Sequence, residues 1–112
     1  MALCETFRFD LAVSYHASGE SIYWKQRGFD NNKSFPLAGA IKRLTGYAFE
    51  DDDTSYGGFK GWFVHAFNRP AFTIEIGRGP TPLPASQFGT VFAQNRAVPP
   101  LCGVWVRYSC DV

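Results

Sequence analysis

The sequence has no strong excess of charge of either sign and no long hydrophobic run. Eleven Lys and Arg residues stand against ten Asp and Glu residues, so the formal net charge is +1. No basic cluster creates the positive field that nucleic-acid or membrane-surface binding usually needs. No stretch approaches the ~20 consecutive apolar residues of a membrane-spanning helix. The composition therefore indicates neither a nucleic acid nor a membrane as a partner.

Cysteine is scarce and its spacing forms no recognisable pairing pattern. The three cysteines, Cys4, Cys102 and Cys110, are odd in number and include no C-x-x-C motif, which argues against a disulfide framework or a structural zinc site. The first residues lack the basic start and long apolar run of a secretory signal. We expect buried or reduced thiols and a cytoplasmic location for the sequence as given. The location of any longer precursor stays open, because a missing upstream segment would take any signal with it.

The chain has enough apolar residues to build a core. Of its 112 residues, 46% are hydrophobic and 17% are aromatic, which is typical of an ordinary globular protein rather than a disordered one. A chain of this length buries roughly two-thirds of the surface that its unfolded form exposes. We expect a single domain over residues 1–112. The acidic run at residues 50–53 is interpreted as a solvated loop and not as a metal site, since four adjacent carboxylates cannot all face one metal ion. Residues 51–58 are rich in loop-forming residues.

Hydrophobic patterning predicts alternating strands and helices. Ser34 is a plausible N-cap and Gly46 a terminator for a helix with apolar residues at helical spacing, and Pro99 marks the end of a later helix. Residues 61–67 are too rich in aromatic and β-branched side chains to assign. The predicted elements are strands at 11–15 and 71–77, shorter extended pieces at 22–24 and 47–49, and helices at 35–45 and 85–96.

His16 and Glu75 are the residues best suited to metal binding or acid–base chemistry. Each lies at the end of a predicted strand, which is where open α/β sheets place ligands and catalytic groups. A neutral imidazole can bind zinc, and a nearby glutamate can accept a proton from zinc-bound water. Each residue also has a simpler interpretation, because single histidines are often hydrogen-bonded core or surface residues and strand glutamates often pair with Lys or Arg.

Four stretches, in chain order, carry a family resemblance. They are residues 14–24 (SYHASGESIYW), 57–62 (GGFKGW), 72–75 (FTIE) and 82–88 (PLPASQF). Together they resemble the C-terminal part of zinc metallocarboxypeptidases of the carboxypeptidase A type, and most closely the bacterial gamma-D-glutamyl-diaminopimelate peptidase branch. In that family the corresponding stretches carry the last zinc histidine, the substrate-pocket loop, the catalytic glutamate and the start of the final helix.

The resemblance implies a role for particular residues. It makes His16 a zinc ligand and Glu75 the general base and acid that activates the metal-bound water. Lys60 falls in the substrate-pocket loop, where a cation favours a substrate with an extra carboxylate, as in diaminopimelate peptides; the alternative is a solvent-facing lysine. The family's mobile tyrosine has no counterpart at its usual position, and Tyr56, followed by Tyr47, is the nearest substitute.

The chain also departs from the family pattern. Family members hold zinc with an H-x-x-E pair and a later histidine, whereas this sequence has two histidines and no H-x-x-E before His16. The segment that binds the substrate carboxylate in the family also has no counterpart. His65 matches no ligand position, and we interpret it as a structural or surface residue. Pro99 and Pro100 interrupt what would be a continuing final helix.

The predicted fold class is α/β, corresponding to the C-terminal half of a carboxypeptidase-like mixed sheet with flanking helices. Half a sheet exposes a strand edge, so we expect self-association or pairing with a missing N-terminal half. The preferred function is that of a zinc metallocarboxypeptidase-like hydrolase of peptide C-termini or peptidoglycan stem peptides, inactive without further zinc ligands. The alternatives are a non-catalytic module that binds peptides or cell-wall fragments, and a truncated fragment without activity.

Overall fold

Four short strands form a mixed sheet in the computed structural model, which describes residues 2–50 and 58–109. The strands are β1 (Ala12–Ala17), β2 (Ser21–Tyr23), β3 (Ala48–Glu50) and β4 (Ala71–Ile76). Their order across the sheet is β1-β4-β2-β3, in which β1 is parallel to β4, β2 is antiparallel to β4, and β3 is parallel to β2. The predicted α/β class with a mixed sheet is therefore confirmed.

Helices cover both faces of this sheet. They are α1 (Ala2–Phe7), α2 (Phe35–Thr45), α3 (Phe59–Phe67), α4 (Phe88–Asn95) and α5 (Val98–Ser109), with short 3-10 turns at Asn31–Lys33 and Ala85–Gln87. Helix α3 packs against β1 and β4, whereas α2 packs against α4 and α5. Within the described ranges, no helix has the length and apolar character that crossing a membrane requires.

The alternation of side chains along β4 divides the core into two layers. Phe72 and Ile74 are fully buried against Leu37 and Ile41 of α2, and each such side chain contributes roughly 1.5–3 kcal/mol relative to an exposed position. Ala71 points to the other face, where it joins a second cluster built around α3. Because both faces of β4 are covered, the strand is apolar on both sides at its start, as a central strand should be.

Helix α2 forms at the predicted position, but its predicted N-cap is wrong in one respect. Gly46 adopts a left-handed φ of 75° and donates its N–H to the Lys42 carbonyl, as expected for a C-cap. Ser34 occupies the N-cap position without making a side-chain cap bond. Its backbone is already helical because the preceding 3-10 turn leads directly into α2. Its hydroxyl is buried with no partner among the described residues.

Two segments differ from the sequence prediction. The unassigned aromatic stretch forms α3, in which the Phe63 ring lies tilted at 6.0 Å from the Phe59 ring and at 5.1 Å from the Phe67 ring. Their spacing of four residues places these rings on one helix face. Helix α4 ends at Asn95, before Pro99 and Pro100, as predicted, but these two prolines begin a further helix, α5, which the sequence pattern did not predict. They lie in the first turn of α5, where the missing N–H would have no helical partner.

The turn that follows β1 is tied to the rest of the fold by a chain of polar contacts. Glu20 forms an ion pair with Arg78 and accepts a hydrogen bond from the Gln94 amide at 3.2 Å. The Gln94 side chain accepts a 2.7 Å bond from the Tyr47 hydroxyl. The hydrogen bond from Arg78 is the main reason that the pKa of Glu20 lies below its ordinary value, and the Gln94 bond adds to the effect.

We predict that Glu20→Gln lowers stability in a pH-dependent way. Since the folded-state pKa of Glu20 is depressed, its contribution is present above the ordinary carboxyl pKa of 4.5 and is lost as the pH falls through the folded value. The Arg78 side chain is 84% exposed, so solvent screening keeps the difference below about 1 kcal/mol. Urea unfolding of both proteins across a pH series measures it. Arg78→Gln should reproduce the loss, and a difference that does not change with pH would contradict the assignment.

Candidate active site

His16 and Glu75 are direct neighbours in the sheet. They are register partners in the parallel pairing of β1 with β4, where adjacent strands lie about 4.8 Å apart. Register partners direct their side chains to the same face, and both residues lie near the carboxyl ends of their strands. His16 is exposed and Glu75 is half-buried. The pairing therefore places an imidazole and a carboxylate side by side at the edge of the sheet where ligands bind in α/β folds.

A cavity of about 320 Å³ opens over this pair. Its floor comes from alternate residues of β1 and β4, and its walls come from β2 and from the first turn of α3. The lining residues are Ser14, His16, Tyr23, Gly58, Phe59, Lys60, Gly61, Thr73 and Glu75. The cavity thus brings together three residues that sequence reasoning singled out separately, namely His16, Glu75 and Lys60.

Lys60 is half-buried and bonded rather than solvent-facing. Its ammonium donates to the Lys25 carbonyl at 2.6 Å and to the Gln26 amide oxygen at 2.8 Å. Gln26 is 1% exposed, and its backbone N–H and C=O both bond to the side chain of Asn31. These hydrogen bonds fix the conformation of the loop after β2 and hold Lys60 against the cavity wall.

Sequence reasoning missed the polar floor of the cavity. Ser14 and Thr73 are register partners and lie two residues before His16 and Glu75. The strand period of two places them on the same face as the candidate catalytic pair, so counting back from His16 and Glu75 would have found both. Tyr23 and Phe59 could not be found this way, because only the tertiary packing of β2 and α3 brings them to the cavity.

The remaining predicted positions do not line this cavity or lie outside the described residues. Tyr56 falls in residues 51–57, which the structure does not describe, as does most of the predicted acidic loop. Tyr47 is 2% exposed, and its hydroxyl also accepts a 2.9 Å bond from the Asn95 amide. Burial raises the pKa of Tyr47. It is a core residue and cannot serve as a mobile cap. His65 is exposed on α3.

Two of the three cysteines are buried, reduced thiols, as predicted. Cys4 and Cys102 are both free and buried, and burial raises the pKa of the Cys102 thiol. Cys110 lies outside the described residues. Neither of these two cysteines lines the cavity, so they do not extend the candidate site.

The side chains that line the cavity supply only part of the ligand set of a zinc centre. A catalytic zinc site usually takes three protein ligands, and an imidazole such as that of His16 is of the right type for one of them. Among residues 2–50 and 58–109, no group of three or more His, Cys, Asp or Glu side chains is placed to hold a metal ion. The described part of the chain therefore does not form a complete metal site.

Comparison with known proteins relates the chain to a bacterial peptidase. No protein-family model matches it. It is 33% identical over 92 residues to Gamma-D-glutamyl-L-diamino acid endopeptidase 1 of Lysinibacillus sphaericus, covering 82% of this chain and 23% of that protein. It is also 33% identical over 85 residues to the uncharacterized protein YqgT of Bacillus subtilis (strain 168), covering 74% and 23%.

The fold, the site and the comparisons together define a class. The chain is an α/β protein with a carboxylate and imidazole pair in a cavity, and it is related to a bacterial endopeptidase. It spans about a quarter of the length of the curated relatives it matches. Membership of the zinc metallocarboxypeptidase family stays a prediction from the sequence motifs.

We predict that Lys60→Met destabilises the fold by about 1–3 kcal/mol, because the buried Gln26 amide and the Lys25 carbonyl lose a charged hydrogen-bond donor. Urea unfolding monitored by tryptophan fluorescence measures the difference. Lys33→Met is the matched control, since Lys33 is exposed and its ammonium lies over the Phe29 ring at 5.6 Å; its change should stay below about 1 kcal/mol. Equal effects for the two variants would show that the Lys60 contacts contribute nothing specific.

Proposed function

We propose that this chain forms part of the catalytic domain of a zinc-dependent peptidase that hydrolyses gamma-D-glutamyl bonds in peptidoglycan stem peptides. The observation that carries the proposal is the register pairing of His16 with Glu75 in one cavity that also contains Lys60. The similarity to a gamma-D-glutamyl-L-diamino acid endopeptidase supports the substrate class. Residues 1–112 would be one partial domain, completed by sequence outside this chain.

Glu75 is the proposed general base and acid. Its carboxylate lies on the cavity floor next to His16, where a water between the two residues would be within reach. It would accept a proton from that water and deliver it to the amine that leaves when the peptide bond breaks. Within the described residues, no Lys or Arg side chain forms a salt bridge with Glu75. Arg78 pairs with Glu20, and Arg69 with Asp10.

His16 is the proposed zinc ligand of this segment. Bound zinc would act as a Lewis acid and lower the pKa of a coordinated water. Because the described residues do not complete the coordination shell, this chain alone should bind zinc weakly, and the other ligands would come from outside it. His16 is exposed at the open side of β1, which leaves its imidazole accessible to such additional ligands.

Lys60 and Tyr56 are the proposed substrate-binding residues. Lys60 is fixed in the cavity wall by the loop after β2, and its positive charge would favour the second carboxylate of a diamino acid such as diaminopimelate. Tyr56 precedes the first turn of α3 in the sequence and would cover bound substrate.

Binding without hydrolysis is the second candidate function. The observation that favours it is the single imidazole in a cavity that otherwise has the size and mixed polar and aromatic lining of a ligand site. Under this hypothesis the chain binds peptide or cell-wall fragments and leaves them intact.

The test replaces the matching segment of the Lysinibacillus endopeptidase with this chain and assays cleavage of a gamma-D-glutamyl-diaminopimelate peptide. We expect the chimera to be active and Glu75→Gln to reduce kcat by about 10²–10⁴-fold, the usual contribution of a general base. Substrate affinity and stoichiometric zinc should persist in that variant, whereas His16→Ala should lose zinc.

Glu50→Gln is the matched control, because Glu50 is an exposed carboxylate at the end of β3. It should leave kcat unchanged. If Glu75→Gln retained activity, or lost only stability, Glu75 would not be the base. If the folded chimera bound the peptide without cleaving it, the binding function would replace the catalytic one.

A further inference from the structure

Gln26 is a buried amide side chain next to the candidate site. It lies in the loop after β2 and is 1% exposed, although glutamine is a residue type that is mostly exposed. Its amide oxygen accepts a 2.8 Å hydrogen bond from the Lys60 ammonium. Because an amide is costly to bury unless it is hydrogen-bonded, the contact with Lys60 helps to explain why Gln26 lies inside the protein.

Lys60 occupies a position that the helix itself does not favour for a cation. It is the second residue of α3, and no acidic residue shares the first turn, so its charge lies at the positive end of the helix dipole. Its ammonium is held there by the Lys25 carbonyl at 2.6 Å and by the Gln26 amide oxygen. Both acceptors are uncharged oxygen atoms, so these two bonds fix the ammonium without cancelling its charge.

Asn31 in turn fixes the backbone of Gln26. Its side-chain oxygen accepts a 2.9 Å bond from the Gln26 N–H, and its side-chain amide donates a 3.2 Å bond to the Gln26 carbonyl. Asn31 begins the 3-10 turn that leads into α2. The contacts therefore form one path from this turn through Asn31 and Gln26 to the Lys60 ammonium.

The position of the Lys60 ammonium is thus set before any ligand binds. A lysine side chain has a long flexible stem and loses much rotamer freedom when its ammonium is held in one place. Here that loss occurs on folding, so a ligand carboxylate meets a preordered donor and binds more tightly than it would to a mobile one. A fixed donor also imposes a direction on the hydrogen bond, which a mobile charge does not.

We propose that Gln26 and Asn31 are positioning residues for Lys60 and that they give the site a preference for diaminopimelate over lysine. This inference rests on the substrate class of the proposed function. Lysine has the structure of diaminopimelate with the distal carboxylate replaced by hydrogen, so a fixed ammonium that bonds this carboxylate distinguishes the two. Neither Gln26 nor Asn31 lines the cavity, so both act through Lys60.

A purely structural role for Gln26 and Asn31 predicts a different result. Loosening the loop would weaken the binding of both substrates to the same extent, because they share everything except the distal carboxylate. Loss of positioning would weaken the binding of the diaminopimelate substrate alone, since specificity is a difference between two affinities. The ratio of the two affinities therefore separates positioning from stability.

The first test measures whether Gln26 holds Lys60, and it uses this chain alone without assuming any activity. Reductive methylation followed by peptide mass spectrometry gives the reaction rate of each lysine amine. Lys60 should react more slowly than the exposed Lys33. Gln26→Met keeps the length of the side chain but removes the acceptor, so it should raise the Lys60 rate towards that of Lys33. An unchanged Lys60 rate would overturn the proposal.

The second test uses the chimera with the Lysinibacillus endopeptidase and two peptides, gamma-D-glutamyl-diaminopimelate and gamma-D-glutamyl-lysine. Dissociation constants are measured in the Glu75→Gln form, so that binding is observed whether or not the chimera cleaves. Gln26→Met should lower the preference for the diaminopimelate peptide by on the order of tenfold, the usual loss for a charge-assisted hydrogen bond. Affinity for the lysine peptide should stay the same. Asn31→Ala should change the preference in the same direction.

Gln87→Met is the matched control. Gln87 also fixes a loop through its side chain, accepting a 3.0 Å bond from the Arg78 N–H and donating a 2.8 Å bond to the Arg78 carbonyl, but it does not line the cavity. This variant should leave the preference unchanged. Lys60→Met should abolish the preference, and Gln26→Met should then have no further effect on it, because a positioning residue acts only through the group that it holds.

The outcomes separate this inference from the proposed function. A preference that depends on Gln26 in a chimera that cleaves neither peptide supports the inference and contradicts the catalytic proposal. A chimera that cleaves, but in which Gln26→Met weakens both peptides equally or Gln87→Met lowers the preference as much, overturns the inference and leaves the catalytic proposal standing. Equal affinities for the two peptides in the unsubstituted chimera, or no binding of either, overturn the inference as well.

Discussion

The parallel pairing of β1 with β4 in a single register is the constraint on which the rest of the structure depends. It joins segments about sixty positions apart in the sequence and fixes which side chains share a face. A slip of one residue would move Glu75 into the apolar layer and Ile74 into the cavity. Burial of Phe72 and Ile74 against α2 opposes such a slip, so the hydrophobic layer on one face determines the polar arrangement on the other.

Two sets of contacts fix the loops beside this strand pairing, one at its carboxyl end and one on the cavity face. At the carboxyl end, the Gly19 N–H donates to the Gly77 carbonyl at 2.9 Å, and the Glu20 and Arg78 ion pair links the same two loops. On the cavity face, α3 contributes Lys60, which is bonded to the loop after β2. These contacts restrict both loops beside the candidate catalytic pair, which is the kind of preorganisation that a hydrolytic site needs.

The two faces of the sheet differ in chemical character. One face carries the cavity with its imidazole, carboxylate and hydroxyl groups, while the other carries the main apolar core. His16 and Tyr15 are adjacent in sequence but serve opposite faces, because strand side chains alternate.

The sequence alone determined the features that depend on local pattern. Turn residues and helical spacing predicted α2 with its Gly46 terminus, alternating and β-branched runs predicted β1 and β4, and the positions of His16 and Glu75 at strand ends predicted a shared cleft. Tertiary structure decided what depends on distant contacts. Aromatic packing made α3 a helix, and the 3-10 turn removed the cap role of Ser34. Pro99, which follows the end of α4 as predicted, lies in the first turn of the unpredicted helix α5. Packing of β2 and α3 against the sheet, which no local pattern encodes, brought Tyr23, Phe59 and Lys60 to the same cavity, because side chains far apart in the chain meet only once the sheet has formed.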